Sequence, residues 1–147
     1  MAIHGSCLCG GVTFEVDRVT GPFEFCHCRR CRKVSGSTGM AAVGVRKRDF
    51  RFLSGRELIE TYEAPILYAP PSYTSVFCRR CGSQVPLPEP ADEWFEIAAG
   101  LFDDDLNRKL DKHIFVELTP DWDEITGDLP RYTREEIIAW RRSPDQD

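Results

Sequence analysis

Apolar and polar positions alternate along much of this chain. Val12, Phe14 and Val16 are interleaved with Thr13, Glu15 and Asp17, so an extended segment here turns one row of side chains to a core and the other to water. Further runs at residues 23–27, 40–45, 51–53, 58–62, 73–78, 94–98 and 114–118 are rich in Val, Ile, Phe and Tyr, residue types that suit a pleated, half-buried surface. Gly and Pro interrupt the runs at 10–11, 21–22, 36–39, 54–55, 65–71 and 86–90, where the chain can turn. The pattern predicts a mainly β protein.

Two short helices break the pattern. One starts in the region 28–35 and stops at Gly36. The other begins at Thr133, because Thr133 and Glu136 stand at capping-box spacing ahead of Ile137, Ile138 and Trp140. No repeat or low-complexity tract divides the chain, and 147 residues with 41 % apolar composition predict a single globular domain over 1–147.

The first residues, Met-Ala-Ile-His-Gly-Ser-Cys, carry neither a basic start nor an apolar run, and nowhere do about 20 apolar residues follow one another as a membrane helix requires. The expectation is a cytoplasmic protein without a membrane partner.

Seven cysteines change the picture. They fall as Cys7-x-Cys9, Cys26-x-Cys28-x-x-Cys31 and Cys78-x-x-Cys81, and such tight clusters suit metal chelation better than cross-linking in a reducing compartment. Seven thiolates cannot complete two all-cysteine tetrahedra. Residues i and i+2 at a strand end point to one side and a helical turn brings i+5 back, so Cys26, Cys28 and Cys31 form one unit, with Cys7, Cys9, Cys78 and Cys81 as the four. That arrangement closes a long loop. A second arrangement joins Cys7 and Cys9 to two of the middle cysteines and leaves Cys78 and Cys81 as a pair; the spacing allows both.

The charge is uneven. Residues 1–88 hold 12 Lys and Arg against 7 Asp and Glu, while residues 89–147 hold 7 against 17. Arg29, Arg30, Arg32, Lys33, Arg79 and Arg80 lie within or beside the cysteine clusters. A small anion is drawn to them, whereas a nucleic acid would also meet the acidic last third, so no nucleic-acid partner is expected.

A closed four-thiolate zinc is structural, and an open three-thiolate zinc keeps a position for a ligand. Three thiolates outweigh the charge of the ion and make it a weaker Lewis acid than a zinc held by imidazoles, whose water has a pKa of roughly 7. Hydrolysis is therefore less natural for it than thiol chemistry, since a sulfur-rich centre takes another sulfur and holds it as the nucleophilic thiolate.

The residues that carry this chemistry also carry a resemblance. Gly5-Ser-Cys-Leu-Cys-Gly-Gly11, Cys26-His-Cys-Arg-Arg-Cys-Arg-Lys-Val-Ser-Gly36 and Phe77-Cys-Arg-Arg-Cys-Gly-Ser83 resemble the glutathione-dependent formaldehyde-activating enzyme family. The likeness continues through Ala98-Ala-Gly-Leu-Phe-Asp-Asp104, His113-Ile-Phe-Val116 and Trp122 to Asp128-Leu-Pro130. It implies an Mss4-like fold of several coiled antiparallel β-sheets with short helices. It also implies two zinc ions per chain, a structural one on Cys7, Cys9, Cys78 and Cys81 and a catalytic one on Cys26, Cys28 and Cys31. The implied activity is that of a carbon–sulfur lyase joining glutathione to formaldehyde as S-(hydroxymethyl)glutathione. A zinc module that only binds another protein is the alternative.

Other polar residues have plainer explanations beside functional ones. His27 lies between two ligand candidates and points away from them in an extended segment; His113 shares a strand face with Phe115 and Glu117. Packing or hydrogen bonding accounts for both, and His4 has no assigned role. The small residues of Ser35-Gly-Ser-Thr-Gly39 let a peptide-like ligand approach the backbone or simply form a turn. Arg46, Lys47, Arg48 and Arg51 are expected on a solvated face, as are Asp103, Asp104 and Asp105.

Overall fold

The computed structural model describes residues 1–65 and 73–143. In chain order the elements are β1 (Ile3–Ser6), β2 (Thr13–Val16), β3 (Phe23–Cys26), α1 (Arg29–Ser35), β4 (Met40–Arg46), β5 (Phe50–Ser54), β6 (Ile59–Ala64), β7 (Tyr73–Cys78), β8 (Trp94–Ala98), β9 (Lys112–Ile114), β10 (Arg131–Tyr132) and α2 (Arg134–Arg142). The chain forms two compact units: Met1–Gly21 with Val43–Asn107, and Pro22–Ala42 with Arg108–Asp147. The turn expected at 65–71 lies outside the described residues except for its first position.

In the first unit, the alternating run around Phe14 becomes the central strand of an antiparallel sheet ordered β1-β2-β5. Phe14 and Val16 are buried with Val45 and Ile97. The Phe14 ring lies 5.6 Å from both Phe50 and Phe102, tilted against the first and edge-on to the second, so aromatic packing supplies much of this core. Gly5 faces Phe14 across the ladder, and a Cβ there would run into the ring. Strands β6 and β7 form an antiparallel ribbon from Ile59 opposite Cys78 to Ala64 opposite Tyr73. Its cysteine end packs in a second cluster of Cys7, Val12, Leu58, Cys78 and Val85.

The second unit departs from the antiparallel pattern. β9 runs parallel to β3 on one side and to β10 on the other. The expected strand at 114–118 stops at Ile114, because β3 ends opposite it at Cys26 and offers no further ladder partner. Phe115 then adopts a left-handed conformation with φ 59°, and Val116–Leu118 close a 3-10 turn. That turn brings Glu117 to accept a hydrogen bond from Arg134 N at 3.0 Å at the start of α2. Thr133 and Glu136 form the expected capping box, and Ile137 is the fully buried residue of the helix.

Glu24 on β3 is buried beneath α2. Its carboxylate accepts a hydrogen bond from Arg141 Nη2 at 2.7 Å and stands 3.3 Å from Lys112 Nζ, itself over the Trp140 ring at 5.0 Å. Replacing Glu24 by alanine leaves buried Lys112 with Asp111 alone, at 2.6 Å. A broken buried pair costs about 3 kcal/mol at the lower end, equivalent to a fall in Tm of roughly 6–12 °C for a chain of this size. Thermal unfolding followed by circular dichroism measures it, with Glu24→Gln expected to lose less.

Candidate metal centres

Each cysteine pair of the first unit sits on a tight backbone knuckle. After Cys7 the chain reverses: Gly10 N donates to Cys7 O at 2.9 Å, and Gly10 has φ 75°, a conformation that favours glycine. The turn aims amides at the sulfurs, Val12 N at Cys7 Sγ (3.2 Å) and Gly11 N at Cys9 Sγ (3.4 Å). After Cys78 the same device recurs, with Gly82 N donating to Cys78 O at 2.7 Å and Gly82 at φ 78°. Ser83 ties the knuckles together, since its hydroxyl accepts from Leu8 N at 2.8 Å. The Ser83 hydroxyl beside Cys81 pulls that thiol down to about 5.

The four sulfurs of Cys7, Cys9, Cys78 and Cys81 lie within 4.8 Å of one another. Cys7 and Cys9 are 3.6 Å apart, Cys9 and Cys78 3.9 Å. Cys26, Cys28 and Cys31 form the other such group among the described residues. The alternative that mixes the N-terminal pair with the middle cysteines is thus not the one the fold adopts.

In the second unit Cys26 closes β3, Cys28 caps α1 and Cys31 lies one turn into it. Cys28 Sγ accepts from Cys31 N at 3.3 Å and stands 3.2 Å from Cys31 Sγ. Crowding governs their acidity. The Cys28 thiol raises Cys26 to about 12, and Cys26 and Cys28 together push Cys31 well above the ordinary thiol range. Three sulfurs so placed resist becoming anions together unless a cation joins them. Both clusters therefore have the donor chemistry and the closeness to hold a metal ion.

Beside the three cysteines, α1 carries its positive charge. Arg29, Arg32 and Lys33 line a cavity of about 370 Å³ with Gly36, Ser37 and the exposed ring of Trp122. Among the described residues no acidic side chain lines it. The helix ends at Gly36 in the left-handed conformation, with Gly36 N donating to Arg32 O, which sets Gly36 and Ser37 at the cavity wall. Ser35 serves the turn instead, donating to Cys31 O at 2.8 Å and lying 2.9 Å from Gly39 O.

The remaining candidates hold the structure together. His27 is buried, and its Nε2 lies 2.9 Å from His113 Nδ1. Burial depresses both imidazoles, with the neighbouring His113 adding to the effect on His27 and Arg131 to that on His113. Lys47 donates to Glu89 O and Pro90 O, and Arg51 to Glu15 and Asp17. Asp103 accepts from Ser6, and Asp104 pairs with His4. The sequence assigns no role to Ser83 or Trp122, which appear there only within the family likeness, and no partner to His27 or His113. Ser83 is two residues beyond Cys81 and was within reach of a knuckle argument; the others come from distant segments.

A mainly β chain that gathers four cysteines in one cluster and three in another has two unlike thiol groups, each able to hold a metal ion. A family model described as glutathione-dependent formaldehyde-activating enzyme matches residues 2–118, and the chain belongs to that family. A curated Halomonas elongata protein that provisionally bears the family's name is 35 % identical, covering 95 % of this chain and 94 % of its own length. The crystal structure of a Rhodobacter sphaeroides protein, a structural-genomics target, shares the fold: TM-score 0.54, 22 % identity, 87 % of this chain and 98 % of that one. No helix among the described residues is long and apolar enough to cross a membrane.

Proposed function

We propose that the protein is a zinc-dependent carbon–sulfur lyase that binds glutathione at the centre of Cys26, Cys28 and Cys31 and joins it to, or releases it from, formaldehyde. The observation that carries this reading is an incomplete thiolate set at the start of α1 with, on the neighbouring face of the same helix, a cavity lined by Arg29, Arg32 and Lys33; none of the three sulfurs lines it. Zinc suits the four-cysteine cluster, because a tetrahedron with Zn–S of about 2.3 Å separates its sulfurs by roughly 3.8 Å and the spacings of 3.6 and 3.9 Å bracket that value. When bound by the trio, zinc supplies a soft electrophilic centre that favours sulfur and the thiolate form of a thiol.

The chain's own residues do the rest. Arg29, Arg32 and Lys33 hold the carboxylates of glutathione, and the wall at Gly36 and Ser37 lets its peptide backbone lie close. In the reaction the thiol sulfur forms a bond to the carbonyl carbon while the C=O π bond breaks and the thiol proton ends on the oxygen. Nothing is oxidised or reduced. Residues 1–147 act as one functional domain in this reading, since the chain passes between the two units three times. Seven free thiols and a glutathione substrate suit a reducing cytoplasm.

Glutathione adds to formaldehyde without a catalyst, so the test is a rate. Exchange NMR on an equilibrium mixture of glutathione, formaldehyde and adduct is expected to show faster exchange with catalytic amounts of zinc-loaded protein. Exchange no faster than in buffer, with glutathione bound or not, would leave a binding module. A second measurement tests the cavity. The double variant Arg29→Ala, Arg32→Ala is expected to bind glutathione at least about tenfold more weakly by calorimetry, equivalent to one charge-assisted contact at the modest end, with a flatter dependence on salt.

A further inference from the structure

The geometry points to His113 as a positioning residue for the three-cysteine centre, acting through His27; this rests on the reading of Cys26, Cys28 and Cys31 as a metal site. Ladder pairing between β3 and β9 ends with Cys26 opposite Ile114. The last main-chain bond is His27 N to Ile114 O at 3.0 Å. Beyond it the chain leaves the sheet at once, with Cys28 extended at φ −67° and ψ 160° as the cap of α1. Two of the three sulfurs thus flank the one residue where sheet geometry no longer dictates the backbone.

That residue is held by its side chain. His27 is 2 % exposed and its ring lies 4.8 Å from Phe25. Its Nε2 meets His113 Nδ1 at 2.9 Å, while its buried Nδ1 has no hydrogen-bond partner among the described residues. One ring nitrogen of the pair carries the shared proton, whichever tautomer is present. His113 is fixed in turn: its N donates to Pro130 O at 2.9 Å, and it lies opposite Phe25 in the parallel register.

Without His113 both nitrogens of a buried imidazole are unpaired, a state costly enough to turn the ring toward water. Such a turn moves the backbone at His27 and swings the flanking Cys26 and Cys28 sulfurs with it. The four-cysteine cluster contains neither residue and is untouched. Loss of a partner bonded directly to a metal ligand typically lowers metal affinity roughly 10- to 100-fold, and His113, one residue further out, is expected at the lower end.

The experiment loads the whole chain with zinc and measures the affinity of each site by competition with a chromogenic chelator. Cobalt-loaded protein gives the visible spectrum of the trio as an independent reading. In His113→Ala the weaker site is expected to lose roughly tenfold in affinity and its cobalt bands to shift, with the tighter site unchanged. His113→Asn places a carboxamide near the Nδ1 position and is expected to recover most of the affinity. His113→Gln carries the same group one carbon further and is expected not to, a comparison that stands even if the alanine variant does not fold. Wild-type affinity in His113→Ala, parallel weakening of both sites, or equal behaviour of the Asn and Gln variants overturns the proposal. A wild-type chain that binds one metal only is recognised before any variant is made, and it overturns the two-centre reading together with the proposal.

Discussion

Cys78→Ser is expected to abolish the cooperative thermal transition of the protein and to release the metal of the four-cysteine cluster. Cys78 is fully buried, at the end of β7 and in one cluster with Cys7, Val12, Leu58 and Val85. Its sulfur stands 3.9 Å from that of Cys9, 69 positions earlier, so a metal here closes a loop of nearly half the chain. Structural zinc contributes about 10–16 kcal/mol of apparent folding free energy in small domains, against a typical total stability of about 5–15 kcal/mol. The first unit has a second core around Phe14, but the cysteine end of the β6–β7 ribbon is held to the segment of Cys7 and Cys9 only by this small apolar cluster and the Leu8–Ser83 hydrogen bond besides the metal, among the described residues. Metal analysis and circular dichroism on purified protein check this. A sharp melt near the wild-type temperature, with the metal content intact, would remove the structural role from this cluster.

The opposite outcome is expected for Cys31→Ser. Cys31 is half-buried on α1 and belongs to neither apolar cluster of the first unit. The variant is expected to fold with a Tm close to wild type, to carry one metal fewer, and to bind glutathione at least about 100-fold more weakly, equivalent to about 2.8 kcal/mol. Acceleration of adduct exchange should vanish with it. Two sulfurs remain, and Cys28 loses the thiol 3.2 Å from its own sulfur while keeping the backbone amide of residue 31. Calorimetry with glutathione, alongside metal content and a thermal melt, distinguishes loss of a site from loss of a fold. Undiminished exchange activity in this variant would take the reaction away from the trio.

Much of this architecture is legible in local pattern. The alternation from Val12 to Val16 marks β2, and the Thr133–Glu136 spacing marks the start of α2 where the capping box forms. The Cys-x-Cys and Cys-x-x-Cys spacings mark the chelating turns, because such a turn is built from neighbouring residues, but they leave open which turns share a centre. Elements that depend on a partner strand are not legible in the same way. Ile3-His-Gly-Ser6 shows no alternation and is a strand only because β2 lies beside it. Residues 114–118 alternate correctly for a strand, yet the ladder ends at Ile114 where β3 turns away. Isolated residues such as Trp122 and Lys112 gain their roles at the cavity and beneath α2 from segments far away in sequence.

The amino-acid sequence alone determined the mainly β character, the positions of both helices, the family and the seven candidate sulfur ligands, all of which follow from contacts between near neighbours or from a shared motif order. Only the tertiary structure decided which cysteines converge, that His27 leans on His113, and that three cations on α1 share one cavity with Trp122. The reason is that such groupings depend on strand register and on the direction in which a segment leaves its sheet, and these are settled by packing across the whole unit.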